Sequence, residues 1–250
     1  MAITDTAQRH HDQLFPNHVS TLKVSDPELI ELFDNWAFDD VIEAVDMDVR
    51  LRLMVQLAAL IACQALNEYR VMLGGALNVG VTPVEAKEIL YQAVPYVGMA
   101  KAFDFLHATN DVFESRGITL PLSPQSTTTP QTRFEKGLET QKKIFGDRID
   151  AMYAQSPSDQ MHVQRFLSAN CFGDYYTRNG LDLQTRELLT FATLAALGGC
   201  EPQLAGHVVG NLAVGNDRQI LIATITQLLP FIGYPRTLNA LRVINEGTST

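Results

Sequence analysis

Gly199-Cys200-Glu201-Pro202-Gln203-Leu204-Ala205-Gly206-His207 is the stretch of this chain whose residue types are best suited to chemistry. A thiol and a carboxylate stand in the turn before a proline-started helix, and an imidazole follows about one and a half turns inside it. Oriented backbone N–H groups at a helix start favour a thiolate, so Cys200 is a candidate nucleophile or redox thiol, with Glu201 beside it. Histidine is the side chain suited to proton transfer near neutral pH, which makes His207 a candidate acid or base. The same residues also fit a packed interior, with Cys200 a small buried hydrophobe and His207 a satisfied polar group. Cys200, Glu201 and His207 match no metal-motif spacing, and neither a metal nor a cofactor is expected.

Helices must position these groups. Arg186 to Gly198 reads as an apolar helix leading into the turn, Pro202 opens the helix that carries His207 to about Gly215, and Asp217 caps the next, over 218–229. Arg236 to Ile244 follows as the last helix, and Phe134 to Phe145 and Asp159 to Phe172 precede the site. The first half has the same plan: Asp48 to Glu68, then Tyr69 to Asn78 ending at Gly80, then a start at Thr82-Pro83-Val84-Glu85. That start combines an N-cap, a proline at the first helical position and a capping-box acid. Its helix runs to about Val94, where Pro95 and Gly98 break it before Met99 to Glu114. Alternation of apolar and polar residues at strand period is nearly absent, so the fold class is all-α.

The two halves also repeat in letters. Gly75-Ala76-Leu77-Asn78-Val79-Gly80 returns 135 residues later as Gly210-Asn211-Leu212-Ala213-Val214-Gly215, and Gln92-Ala93-Val94-Pro95-Tyr96-Val97-Gly98 as Gln227-Leu228-Leu229-Pro230-Phe231-Ile232-Gly233. Leu57-Ala58-Ala59-Leu60-Ile61-Ala62-Cys63 resembles Leu194-Ala195-Ala196-Leu197-Gly198-Gly199-Cys200, which pairs Cys63 with Cys200 across a spacer two residues longer in the first copy. Counting back from the glycine phrase puts Met72 where the second copy has His207. A competent site is therefore expected in the second unit. The Pro-, Ser- and Thr-rich stretch after Gly117 separates the copies, giving units 1–118 and 133–250 joined by a linker at 119–132.

Bulk composition narrows the partners. A net charge of -9 on 250 residues, without long charged runs, argues against nucleic acid. No apolar run reaches the roughly 18 residues that span a bilayer, and the first twenty residues, with His10 and His11, have no apolar signal-peptide core. Cys63, Cys171 and Cys200 do not form a disulfide-framework pattern, so reduced thiols in the cytoplasm are expected. His10-His11 is expected in a frayed terminus.

The order Arg186, Cys200, His207, Gly210, Leu212, Gly215, Gln227, Gly233-Tyr234-Pro235 and Asn239-Ala240 resembles the carboxymuconolactone decarboxylase family, whose all-helical units are related to the alkyl hydroperoxide reductase D protein. Phe172-Gly173-Asp174-Tyr175-Tyr176-Thr177-Arg178-Asn179-Gly180-Leu181 resembles the segment before the family's core. The resemblance covers nearly the whole chain as two tandem units, the second much the closer.

It implies two chemistries. One is decarboxylation of a small carboxylated lactone with an acid–base histidine near His207, with Arg186 and Arg178 as carboxylate partners and Tyr234 as a further substrate contact. The other is a peroxidase-like thiol reaction that uses two cysteines three positions apart, then a histidine, with a glutamate upstream. Here the pair would be Cys200 and Gln203, so an external thiol partner or a distant one, Cys63 or Cys171, would have to resolve it. The upstream glutamate would be Glu187, 13 residues before Cys200, provided it faces the site. The family's rings of single units imply a homotrimer of fused units that imitates a hexamer. A non-catalytic helical scaffold is the third reading.

Overall fold

In the computed structural model, which describes residues 2–16 and 18–248, every regular element among those residues is helical. The chain opens with α1 (Asp5–Leu14), α2 (Leu22–Ser25) and α3 (Pro27–Asn35), followed by a π-helical segment, Trp36–Asp40, that runs into the short α4 (Val41–Glu43). Next come α5 (Val49–Ala62), α6 (Leu66–Asn78), α7 (Pro83–Val97) and α8 (Met99–Ser115). An irregular connection leads to α9 (Arg133–Phe145), α10 (Arg148–Gln155), α11 (Met161–Phe166) and a second π-helical segment, Leu167–Tyr176. Then follow α12 (Leu183–Leu197), α13 (Glu201–Ala213) and α14 (Arg218–Thr248), whose backbone leaves helical geometry at Gly233. No helix among the described residues is long and apolar enough to cross a membrane.

The repeat is deeper in space than in letters. α6 and α13 have the same length and begin 135 residues apart, and each is preceded by a left-handed residue, Gln64 at φ 59° and Gly199 at φ 69°. Gly98 (φ 83°) and Gly233 (φ 73°) mark the next shared break. This register places Ala65, not Cys63, opposite Cys200, so the similar phrases that paired the two cysteines are out of step by two residues. At each copy's start a helix docks on a π-helical segment in the same way. Thr4 donates through its N–H to Asn35 (2.8 Å) and through its hydroxyl to Asp39 (2.6 Å), and Arg133 donates to Asp174 (2.8 Å), which Asn170 also binds.

α5 and α12 lie side by side at the centre, so Leu53, Leu57 and Leu60 share one continuous apolar core with Leu188, Phe191 and Ala192. Ala58, Ala59, Ala62, Ala195 and Ala196 keep that contact close. At the crossing of α9 with the second π-helical segment, Gly137 sits directly against the Ser168 carbonyl and the Gly173 backbone. The space there is too small for any side chain.

Several expected boundaries shift, each for a local reason. The helix expected over Asp48 to Glu68 ends at Ala62, because Gln64 takes the left-handed conformation before α6 starts. α7 passes through Pro95, and α14 passes through Pro230. A proline removes one N–H near a helix end, whereas the glycine three residues later supplies the positive φ that turns the chain. The helix expected to reach Phe172 ends at Phe166 and continues as the π-helical segment. His10 and His11 lie in α1, held by the burial of Ala7 and Leu14 and by a 2.7 Å bond from His10 Nδ1 to the Phe38 carbonyl. The Thr82 capping box forms as the sequence predicts.

Candidate functional site

α12 and α13 bring Glu187 and His207 together. Helical spacing puts Glu187 on the α12 face that meets α13, and Glu187 Oε2 lies 2.8 Å from His207 Nδ1. The carboxylate is fully buried and the imidazole keeps 11% of its surface accessible. With Nδ1–H donating to Glu187, the free lone pair sits on Nε2, which has no protein partner among the described residues. Gly210, one turn beyond His207, is there of necessity: a methyl group at that position would stand 2.5 Å from Glu187 Oε2. Asn211 fastens the two helices by donating to the carbonyls of His207 (2.7 Å) and Glu187 (3.1 Å). Glu187 Oε1 is buried without a hydrogen-bond partner among the described residues.

Two rings flank the imidazole edge-on, Phe145 at the end of α9 (5.5 Å) and Tyr96 near the end of α7 (5.8 Å). Tyr96 comes from the first copy, and the polar relay behind it joins Gln92 of that copy to Tyr176, Thr190 and Arg186 of the second. The Tyr96 hydroxyl meets that of Tyr176 (3.0 Å), Tyr176 meets Thr190 (2.7 Å), and Gln92 donates to Thr190 and accepts from Arg186 Nη1 (3.0 Å). Burial, then the nearby Glu187 charge, holds the Tyr176 hydroxyl well above the ordinary tyrosine range. Burial likewise lifts Tyr96, which Cys171 and Glu187 reinforce. Both rings therefore stay protonated.

The other candidates are placed differently. Arg178 spends Nε and Nη2 on Glu88 at 2.8–3.0 Å, and Arg186, wholly buried, donates through Nη2 to Glu88 and to the carbonyls of Arg178 and Asn179. Arg178 thus grips a protein carboxylate from α7 bidentately, and Arg186 gives the same carboxylate one nitrogen. Tyr234 is 59% exposed and stacks on Trp36, away from the imidazole. Cys200 is the N-cap residue of α13 and donates to the Leu194 carbonyl (3.4 Å). It faces a crevice of about 10 Å³ shared with Arg236 and Asn239, to which His207 does not contribute. Glu201 is half-buried beside it in the first turn of α13. No group of three or more His, Cys, Asp or Glu side chains suited to a metal occurs among the described residues.

Burial raises all three thiols, with Glu201 adding to the effect at Cys200 and Arg236 opposing it at Cys63. Cys171 is pushed up to about 12. Iodoacetamide at neutral pH is expected to label Cys171 only on unfolding, and Cys63 and Cys200 more slowly in the folded chain than in denaturant, as read by peptide mass spectrometry. Faster labelling of folded Cys200 would contradict this ordering. Because the folded chain retains the Cys171 proton to about pH 12 while an ordinary thiol loses it near 9.0, the associated stability is intact below pH 9.0 and is lost as pH rises through that interval.

The same register gives the first copy's counterpart. Met72 stands for His207, Arg52 for Glu187 and Phe231, carried by α14, for Tyr96. These three line one crevice of about 20 Å³ under Leu14 and Phe38. A methyl on Gly75 would strike Phe15 at 2.8 Å, much as one on Gly210 would strike Phe145 at 3.0 Å. The first copy thus keeps the walls of the site and carries a thioether and a guanidinium where the second has an imidazole and a carboxylate.

Sequence reasoning reached His207 and named Glu187 conditionally, but it missed Glu88 and the part played by Gln92. Gln92 lay in the repeated phrase. Glu88 carried a weaker signal, a carboxylate on the apolar face of a helix.

A family model described as carboxymuconolactone decarboxylase family matches residues 27–111 and 162–246. The 4-carboxymuconolactone decarboxylase of Acinetobacter baylyi is 27% identical over 117 residues, which cover 46% of this chain and 87% of that protein. An uncharacterized 15.0 kDa protein in the nqo9-nqo10 intergenic region of Paracoccus denitrificans is 38% identical over 73 residues, covering 29% of this chain and 54% of its own length.

Proposed function

This chain belongs to the carboxymuconolactone decarboxylase family, and from that membership we propose that its second copy is a lyase that removes carbon dioxide from a small carboxylated lactone. The observation that carries the reading is the His207–Glu187 pair, with Nδ1 held at 2.8 Å and Nε2 left without a protein partner. In the reaction the bond from the ring carbon to the carboxylate breaks, and carbon dioxide departs. The electron pair it leaves spreads into the unsaturated lactone as a dienolate. His207, entering as imidazolium, delivers its Nε2 proton to carbon and is reprotonated from water, so one proton is consumed per turnover. Glu187 stabilises the imidazolium and fixes its orientation, while Tyr96 and Phe145 limit water around it.

The thiol alternative draws less support. Burial and Glu201 disfavour the Cys200 thiolate, and Gln203 occupies the place of the second sulfur. The scaffold alternative leaves the partnerless Glu187 Oε1 unexplained, since packing alone favours apolar residues at such a position. The assembly consistent with this reading is a homotrimer of two-copy chains acting on a small-molecule substrate.

The test is carbon dioxide release from 4-carboxymuconolactone by the full chain. His207→Gln is expected to lower turnover by about 10²- to 10⁴-fold with an unchanged melting profile. Equal turnover in the folded variant would remove His207 from the mechanism.

A further inference from the structure

A cavity of about 480 Å³ lies away from the imidazole, between α7, α8 and the 120–125 segment of the connection. Its size falls within the range of small-molecule sites. Its chemistry is unusual for a chain of net charge -9. Lys87, 92% buried by virtue of its 8% exposure, reaches in from α7. Its ammonium meets the Asn110 amide oxygen and lies 5.7 Å from the Phe113 ring centroid, with no carboxylate partner among the described residues. Burial lowers it from the ordinary lysine range, which reflects a cation lacking a counter-charge.

Glu88 is the carboxylate in the cavity wall, and two guanidiniums already hold it. Both its oxygens are occupied by Arg178 and Arg186, and among the side chains that line the cavity Lys87 and Arg178 outnumber this one carboxylate, so the wall carries positive charge in excess. Arg178 keeps Nη1 available among the described residues, and its guanidinium lies over the Tyr91 ring, 5.1 Å from the centroid. The remaining wall mixes apolar side chains, Leu106 on α8 with Leu120 and Leu122 of the connection among them, with the polar Asn110, Ser123 and Gln125. An unpaired buried ammonium is costly unless an anion joins it.

We propose that this cavity binds a small organic carboxylate with a flat apolar body, its carboxylate between Lys87 and Arg178 and its body between Tyr91 and Leu106. The site is separate from the acid–base pair and does not depend on it. Glu88 belongs to this wall and also anchors Arg186, so a hydrogen-bonded path runs from the cavity through Arg186, Gln92, Thr190 and Tyr176 to Tyr96 beside His207. The connection between the two copies thereby gains a role as one wall of a binding site.

Isothermal titration of the full chain with benzoate, with neutral benzamide and with inorganic phosphate tests the assignment. Benzoate is expected to bind saturably at one site per chain and at least about tenfold more tightly than benzamide, as a charge-assisted contact implies. Lys87→Met keeps the apolar stem and should weaken benzoate by about 10- to 100-fold. Leu106→Trp, which fills the cavity and leaves every charge in place, should abolish binding, and it carries the test alone if the Lys87 variant fails to fold. His207→Gln should bind benzoate as the parent does, which separates this site from the proposed lyase chemistry. Absence of saturable benzoate binding, equal affinity for benzamide, tighter binding of phosphate, unchanged affinity in the cavity variants, or loss of binding in His207→Gln would each overturn it.

Discussion

Arg186→Met is expected to destabilise the protein by about 3 kcal/mol, the lower end of the roughly 3–5 kcal/mol that follows from stripping one partner out of a buried ion pair. The guanidinium is wholly buried and closes four contacts at once: Glu88, Gln92 and the carbonyls of Arg178 and Asn179. Methionine fills much of the volume but takes a donor from Glu88 and Gln92, both of which are buried. Arg178 still holds Glu88, which keeps the loss near the lower end. Calorimetry should show a fall in melting temperature of about 6–12 °C for a chain of this size.

The companion variant separates charge from packing. Glu88→Leu combined with Arg186→Met removes both members of the pair, and Arg178, with 17% of its side chain accessible, can turn to solvent. The double variant should therefore recover part of the stability lost by Arg186→Met alone. Strict additivity of the two single losses would show that the pair contributes through shape and not through charge.

Gly137→Ala is expected to cost at least about 3 kcal/mol, at or beyond the upper end of ordinary overpacking. A methyl group there would overlap the carbonyl of Ser168 and the backbone of Gly173, and neither can rotate aside as a side chain would. Relief requires α9 to move off the π-helical segment, which would also shift Phe145 from the imidazole face. Gly206→Ala is the internal control. It lies inside α13 with nothing within 4 Å of a new Cβ, so the helix should gain up to about 1 kcal/mol from the lost backbone freedom of glycine. Urea midpoints of the two variants moving in the same direction by similar amounts would refute the close-approach argument.

What was legible in the sequence was local. The Thr82-Pro83-Glu85 start needs only neighbouring residues, so it was readable in full. α1 was not, because it buries just Ala7 and Leu14 and its remaining residues look like those of a solvated tail. The π-helical segments have no compositional signature, since one extra residue per turn leaves the alphabet unchanged. The prolines in α7 and α14 misled about helix ends because the backbone turns at glycine. The similar phrases ending in Cys63 and Cys200 misled about register, for the same reason: positive φ, not apolar spelling, marks where the copies coincide.

The candidate site was half legible. His207 stood out because its counterpart is Met72, a contrast that comparison of the copies exposes. Its carboxylate partner lies 20 positions upstream on a different helix, a separation that no local pattern encodes. Arg178 and Arg186 were read as carboxylate partners, and both bind one, but it is Glu88, about 90 residues earlier in the chain, held by Arg178 as a fork and by Arg186 through a single nitrogen.

The crossed construction of the two sites has a historical consequence. After a gene doubles, the copy that sheds its chemistry ordinarily becomes free to decay or be lost. Here α7 of the first copy supplies Tyr96 to the imidazole, and α14 of the second supplies Phe231 to the crevice beside Met72. Each copy therefore depends on the other for one wall, whatever residue stands at its centre. The fusion is thus an interlock: a single half, taken alone, would be missing the wall that its neighbour provides.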